Sequence, residues 1–119
     1  MKTILVVDDD EAIRTLLQEE LEEEGYKVLI ATNARDALKM VASEALDLVI
    51  LDVRMPGMDG LEALPRILGI KEGLPVIMNT AYSQYQDSFM SWAADAYVTK
   101  SSDLTELKAK IRELLEKGK

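Results

Sequence analysis

The sequence predicts an α/β domain: a doubly wound five-stranded parallel sheet in the flavodoxin-like order 2-1-3-4-5, with helices on both faces. Three observations predict it. Five short apolar runs, rich in β-branched residues, recur along the chain, the composition of strands buried on both faces. Segments with helical apolar spacing separate most of them. No linker or low-complexity stretch interrupts the alternation. Alternating strands and helices close into a parallel sheet through right-handed crossovers. In this order the winding reverses between the first and third strands.

Thr3–Val7 is the first strand. Ile13, Leu16, Leu17 and Leu21 then form a helix face that ends at Gly25, a residue suited to the left-handed turn after a helix. Lys27–Ala31 is the second strand. Asn33 caps a second helix, with Asp36 near its start and Ala37, Leu38 and Val41 facing inward. Leu48–Leu51 is the third strand. Met55-Pro56-Gly57-Met58-Asp59-Gly60 reads as a tight turn into a third helix marked by Leu61, Leu64 and Leu68. Pro65 removes an amide donor from that helix. Val76–Met78 and Ala96–Thr99 supply the last two strands. Between them Ser83–Trp92 is a fourth helix without a clean stripe. Leu104, Leu107, Ile111, Leu114 and Leu115 mark a fifth, with Asp103 and Glu106 spaced as a capping box.

The whole chain, residues 1–119, reads as one domain with a single core. Acids outnumber bases 22 to 14, for a net charge of −8, which argues against nonspecific binding of nucleic acid or an anionic membrane by this domain. Cysteine and histidine are both absent, which removes disulfides, a thiolate nucleophile, a Cys-type zinc site and the usual general base. The opening residues are too short for a signal peptide, and no stretch approaches the roughly 20 apolar residues of a membrane span. A cytoplasmic protein is expected. The ending Leu114-Leu-Glu-Lys-Gly-Lys119 reads as a helix terminus; either a complete short protein or a fragment fits it.

The chemistry gathers at the carboxyl ends of the strands. Asp8, Asp9 and Asp10 follow the first, Asp52 the third, Thr80 the fourth and Lys100 the fifth. That edge is where open α/β sheets bind ligands. Carboxylates gathered there repel one another unless a divalent cation is shared. A carboxylate nucleophile, a bound Mg²⁺, a hydroxyl and a lysine suit phosphoryl transfer to aspartate. Singly, each residue has a plainer role. Asp9 or Asp10 can cap the first helix, Asp52 a turn; Thr80 can be a strand end and Lys100 a surface charge. Four such residues at matching strand ends form a set that the plainer roles do not explain.

Val-Val-Asp8-Asp9-Asp10, Leu51-Asp52-Val-Arg-Met-Pro56-Gly57-Met-Asp-Gly60, Thr80-Ala81 and Lys100 resemble the receiver domain of bacterial two-component response regulators. The resemblance implies Mg²⁺ dependence, with Mn²⁺ as a substitute, and phosphorylation of Asp52 by a sensor histidine kinase or a phosphotransfer protein. It implies that Asp8, Asp9 and Asp52 form the metal pocket, with Asp9 the direct ligand and the Arg54 backbone carbonyl another. Thr80 and Lys100 would bind the phosphoryl group. Thr80 and Tyr97 would act as the switch, coupling the site to the face of the fourth helix, fifth strand and fifth helix. That face carries Tyr85, Phe89, Met90 and Trp92, suited to a protein target and to a monomer or phosphorylation-dependent dimer. Arg54 and Tyr82, two residues beyond Asp52 and Thr80, flank the path of an attacking water, so a long-lived phosphoaspartate is expected.

Three positions depart from the pattern. Ser101 stands where proline usually follows the lysine through a cis bond; a non-proline cis bond costs about 3 kcal/mol, so a trans bond and a differently shaped loop are expected. Ala93 replaces a glycine, and Asn79 a small or apolar residue. Two rivals remain. Asp8-Asp9-Asp10 also resembles the opening of haloacid-dehalogenase-type phosphatases, but Ala12 stands where threonine or valine is wanted and no cap insertion is present. A receiver-like binding module without phosphorylation is the other.

Overall fold

The computed structural model of the chain describes residues 1–81 and 93–117. In chain order its elements are β1 (Thr3–Val7), α1 (Glu11–Glu23), β2 (Lys27–Ala31), α2 (Ala34–Ser43), β3 (Leu48–Leu51), α3 (Gly60–Ile70), β4 (Val76–Thr80), β5 (Ala96–Thr99) and α4 (Thr105–Lys117). The helix expected at Ser83–Trp92, together with Tyr82, lies outside the described residues. The strands form one parallel sheet in the order β2-β1-β3-β4-β5, as the alternation predicts.

Strand pleating divides the core in two. Ile4, Val6, Leu48, Ile50 and Ile77 pack beneath Leu17 and Leu21 of α1 and Leu107 and Ile111 of α4. Leu5, Val7, Val49, Leu51 and Met78 face Ala37 and Val41 of α2 and Leu64 and Ile67 of α3. Strands with both faces covered need apolar residues at every position, which is why β1 and β3 read as unbroken apolar runs.

The ends of the elements follow local chemistry. Asp10 caps α1 by accepting the Ala12 N–H at 2.9 Å. Asn33 caps α2 and Asp59 caps α3 in the same way. After α1, Gly25 takes φ +95; its N–H reaches the Glu22 carbonyl and that of Tyr26 the Leu21 carbonyl, a paired C-terminal lock. At the amino edge of the sheet, the Asp47 carboxylate accepts the Thr3 N–H at 2.7 Å, while the Asp47 N–H returns to the Thr3 carbonyl at 2.8 Å. Asp95 clasps Val76 in the same two-way fashion. The pairs β1–β3 and β4–β5 are thus pinned in register where they begin.

Two local readings change. β4 runs two residues beyond Met78, because Asn79 pairs with Val98 and Thr80 with Thr99 in the ladder; pairing with β5 outweighs the polarity of those residues. Pro65 sits within α3, as expected, and the helix runs on to Ile70. The capping box before α4 shifts: Asp103 accepts the N–H and hydroxyl of Thr105 at 3.0 and 2.6 Å, where the spacing had paired it with Glu106.

One contact ties the fold to its edge. The Gly60 N–H donates to the Val53 carbonyl at 2.8 Å, and a Cβ on Gly60 would land on the Asp52 carbonyl oxygen and 2.9 Å from the Val53 Cα. Glycine is required here for close approach, since the obstacle is rigid backbone. Gly60→Ala is expected to destabilise the protein by about 3 kcal/mol, the scale of an overpacked core, read as a lower urea midpoint. An unchanged midpoint would show that the turn moves aside freely.

Candidate functional site

Asp8, Asp52 and Lys100 each sit one step beyond a strand, and a ladder-type hydrogen bond carries each of them there. The Asp8 N–H reaches the Ala31 carbonyl at 3.2 Å, Asp52 reaches Val7 at 3.0 Å, and Lys100 reaches Thr80 at 2.8 Å. Because β1 adjoins β3, Asp8 and Asp52 lie side by side. They are 2% and 4% exposed, while Asp9 is exposed.

Lys100 closes the cluster. Its Nζ lies 2.7 Å from Asp8 Oδ2 and 3.1 Å from Asp52 Oδ2, so one ammonium bridges two buried carboxylates. The other Asp8 oxygen accepts the Asp10 N–H at 2.9 Å. With both its oxygens engaged, Asp8 is an anchor, and the exposed Asp9 is the freer donor for a metal. Burial and then the Asp8 charge push the Asp52 carboxyl above the ordinary range, and Lys100 offsets them only in part. Burial works against the Lys100 ammonium as well, but its hydrogen bond to Asp8 and the charge of Asp52 outweigh that and raise its pKa.

The acid set suits a small hard cation. Carboxylate oxygens of Asp8, Asp9 and Asp52 lie within 4.8 Å of one another, and the lone ammonium leaves the group net negative. Asp8, Asp9 and Asp52 offer the oxygen donors that Mg²⁺ prefers, leaving other positions to water or to an arriving phosphoryl oxygen.

The remaining expected residues divide. Thr80 is fully buried as the last residue of β4. Tyr97, midway along β5, is half-buried and leans on the core beneath α2 and α3. Arg54 lies exposed in the loop after Asp52. Tyr82, Tyr85, Phe89, Met90 and Trp92 fall outside the described residues. No peptide bond among the described residues is cis, so Lys100–Ser101 is trans, as the missing proline predicts. Asp10 takes the plainer of its two roles, that of helix cap.

Arg14 went unnoticed in the sequence. From the first turn of α1 its Nη1 donates to the Asp8 carbonyl at 2.9 Å, fixing the peptide between the two acids. Its signal was the six-residue spacing, which brings a long cation on α1 back over the end of β1.

A family model described as the response regulator receiver domain matches residues 4–112. The alkaline phosphatase synthesis transcriptional regulatory protein PhoP of Bacillus subtilis is 39% identical over 98% of this chain and 50% of its own length. The chain thus spans about half the length of the curated relatives it matches. Among solved structures, the response regulator TrrA of Thermotoga maritima in complex with Mg²⁺-BeF is 52% identical and superposes with a TM-score of 0.94 over 96% of this chain and 99% of that one. TrrA in complex with the histidine kinase ThkA superposes at 0.91, again with 52% identity, over 97% and 99% of the two chains. None of these relatives is a haloacid-dehalogenase-type phosphatase. The chain belongs to the response-regulator receiver domain family.

Proposed function

We propose that this domain receives a phosphoryl group on Asp52 from a phosphohistidine of a sensor kinase or phosphotransfer protein. The observation that carries this reading is the Lys100 bridge to Asp8 and Asp52 beside the exposed Asp9. An ionised Asp52 oxygen attacks phosphorus in line; an O–P bond forms as the donor's P–N bond breaks, and the bonding pair returns to the imidazole. Lys100 then pairs with a phosphoryl oxygen, and the Thr80 hydroxyl donates to another. Mg²⁺, held by Asp9 directly, by Asp8 through water, by Asp52 and by the Arg54 carbonyl, would supply positive charge to the phosphoryl oxygens. Mn²⁺ would serve as a substitute. No proton relay is needed when the attacking carboxylate is ionised.

Phosphorylation is stoichiometric in this reading and not a turnover reaction. It draws Thr80 toward Asp52, and Tyr97 follows, altering the face of β5 and α4 that a protein target reads. Arg54 and Tyr82 shield the acyl phosphate, which suits a slow response. The domain works in the cytoplasm, as a monomer or as a dimer formed on phosphorylation, and contacts no nucleic acid itself. The kinase bound by TrrA and the Mg²⁺-BeF it carries support both the donor class and the metal.

Three outcomes are expected. Acetyl phosphate with Mg²⁺ adds one phosphoryl group, measured as intact mass, and Asp52→Asn takes none; equal labelling of that variant would discard the assignment. Asp9→Ala weakens Mg²⁺ binding about tenfold or more by calorimetric titration, while the metal-free protein stays as stable as the parent or gains stability through relieved repulsion. Unchanged Mg²⁺ affinity would remove Asp9 from the site. The third outcome follows from the raised pKa of Asp52. The folded state keeps that proton to a higher pH than the unfolded chain, so ionisation subtracts stability as pH rises from the unfolded value through the folded one. Metal-free Asp52→Asn is expected to exceed the parent in urea stability at pH 7 and to lose that advantage below about pH 4; parallel pH profiles would contradict it.

A further inference from the structure

Two of the positions at which this chain departs from the receiver pattern, Asn79 and Ser101, line the same cavity. It lies behind Lys100, between α1 and α4, and measures about 20 Å³. Ile13, Leu16 and Leu17 of α1, Val98 of β5 and Leu104 and Leu107 form its apolar walls. Strand alternation turns Asn79 to this side, since Ile77 packs with α1 and α4 and Met78 packs on the opposite face. Asn79 is 95% buried, with 5% of its surface exposed.

A buried amide needs partners. Among the described residues the Asn79 amide has no protein hydrogen-bond partner, and no polar side-chain atom there is both sealed off and unpartnered. Its polar atoms therefore meet the cavity. Ser101 stands at the same cavity; its oxygen accepts the Asp103 N–H at 3.0 Å, which leaves its O–H free to donate. A cavity of this size holds one water, provided that at least two polar groups grip it. An all-apolar cavity of the same size would stay dry.

We propose that one ordered water binds here, joining the Asn79 amide to the Ser101 hydroxyl, and that Asn79 and Ser101 together act as positioning residues for Lys100. The inference rests on the reading that Lys100 binds the phosphoryl group. Lys100 follows β5, an edge strand with a single neighbour, and its peptide to Ser101 is trans. A rigid proline cannot set its direction in this chain. The water link anchors Ser101 to the end of β4, and the hydrogen bond from the Lys100 N–H to the Thr80 carbonyl completes a bracket around the lysine backbone.

The test is a cycle of Asn79→Leu, Ser101→Ala and the double variant. Asn79→Leu keeps the side-chain volume, and Ser101 is exposed, so both should fold. Two quantities are read: the urea midpoint of the metal-free protein, and the rate of Asp52 labelling by acetyl phosphate at saturating Mg²⁺. Each single variant should slow labelling about fivefold and the double variant no further, because either change breaks the one link. Ser101→Thr should recover the rate lost in Ser101→Ala, which a loss of packing alone would not produce. A double variant slower by the product, about 25-fold, or an Asn79→Leu protein that labels as fast as the parent, would overturn the proposal. So would a high-resolution crystal structure with no water at this position. If the unmodified protein takes no label, the phosphoryl-acceptor reading fails. The urea cycle then decides the water link: coupled effects support it, and additive effects overturn it.

Discussion

The bridge from Lys100 to Asp8 and Asp52 is the constraint on which the rest of the structure depends. Two buried carboxylates side by side are costly, and one ammonium does not balance them. The structure keeps them together because neither aspartate can retreat. Asp8 is tied at its backbone N–H to Ala31, at its carbonyl to Arg14, and at its carboxylate to the Asp10 N–H and Lys100. Asp52 is tied to Val7 at its N–H, and the backbone of Gly60 presses against its peptide.

In the proposed function that tension is chemistry stored as structure. The raised pKa of Asp52 reports a carboxylate poorly solvated and crowded by a like charge. A poorly solvated anion gives up little hydration when it attacks, and added positive charge is worth more in such surroundings than in water. The exposed Asp9 completes the balance: it leaves the cluster short of cation at its solvent side, where an ion and a phosphoryl group would arrive. The fold therefore spends stability at this edge and recovers it in the two apolar layers on either side of the sheet.

Much of this was legible in the sequence, and the boundary of legibility has a physical cause. Strand order, the carboxyl edge and the meeting of Asp8 with Asp52 follow from alternation and from where acids stop apolar runs, both of them one-dimensional signals. The Gly25 lock and the Asn33 cap are local and were equally readable. Arg14 and Gly60 were not read as site residues, because their roles lie in contacts with the backbone of a distant segment, which no periodicity records. The last two residues of β4 were missed for a related reason: Asn79 and Thr80 look like a strand end by composition, and only pairing with Val98 and Thr99 extends the strand through them.

The site's members also differ in how firmly they are held. The two buried aspartates follow central strands, each flanked on both sides in the sheet, so their backbones are fixed by the core itself. Lys100 follows the edge strand and must reach across β4 to touch β3 and β1, relying on a long side chain and on the loop behind it. Of the three charged members of the bridge, it is the one whose strand has a single neighbour in the sheet. In the proposed function Lys100 would release Asp52 and take up a phosphoryl oxygen, a role that suits that position. In that proposal the carboxylates gain from rigidity, because their mutual repulsion prepares the site, and the lysine gains from reach, because its partner would change. Placing the acids on central strands and the cation beyond an edge strand satisfies both demands with one sheet.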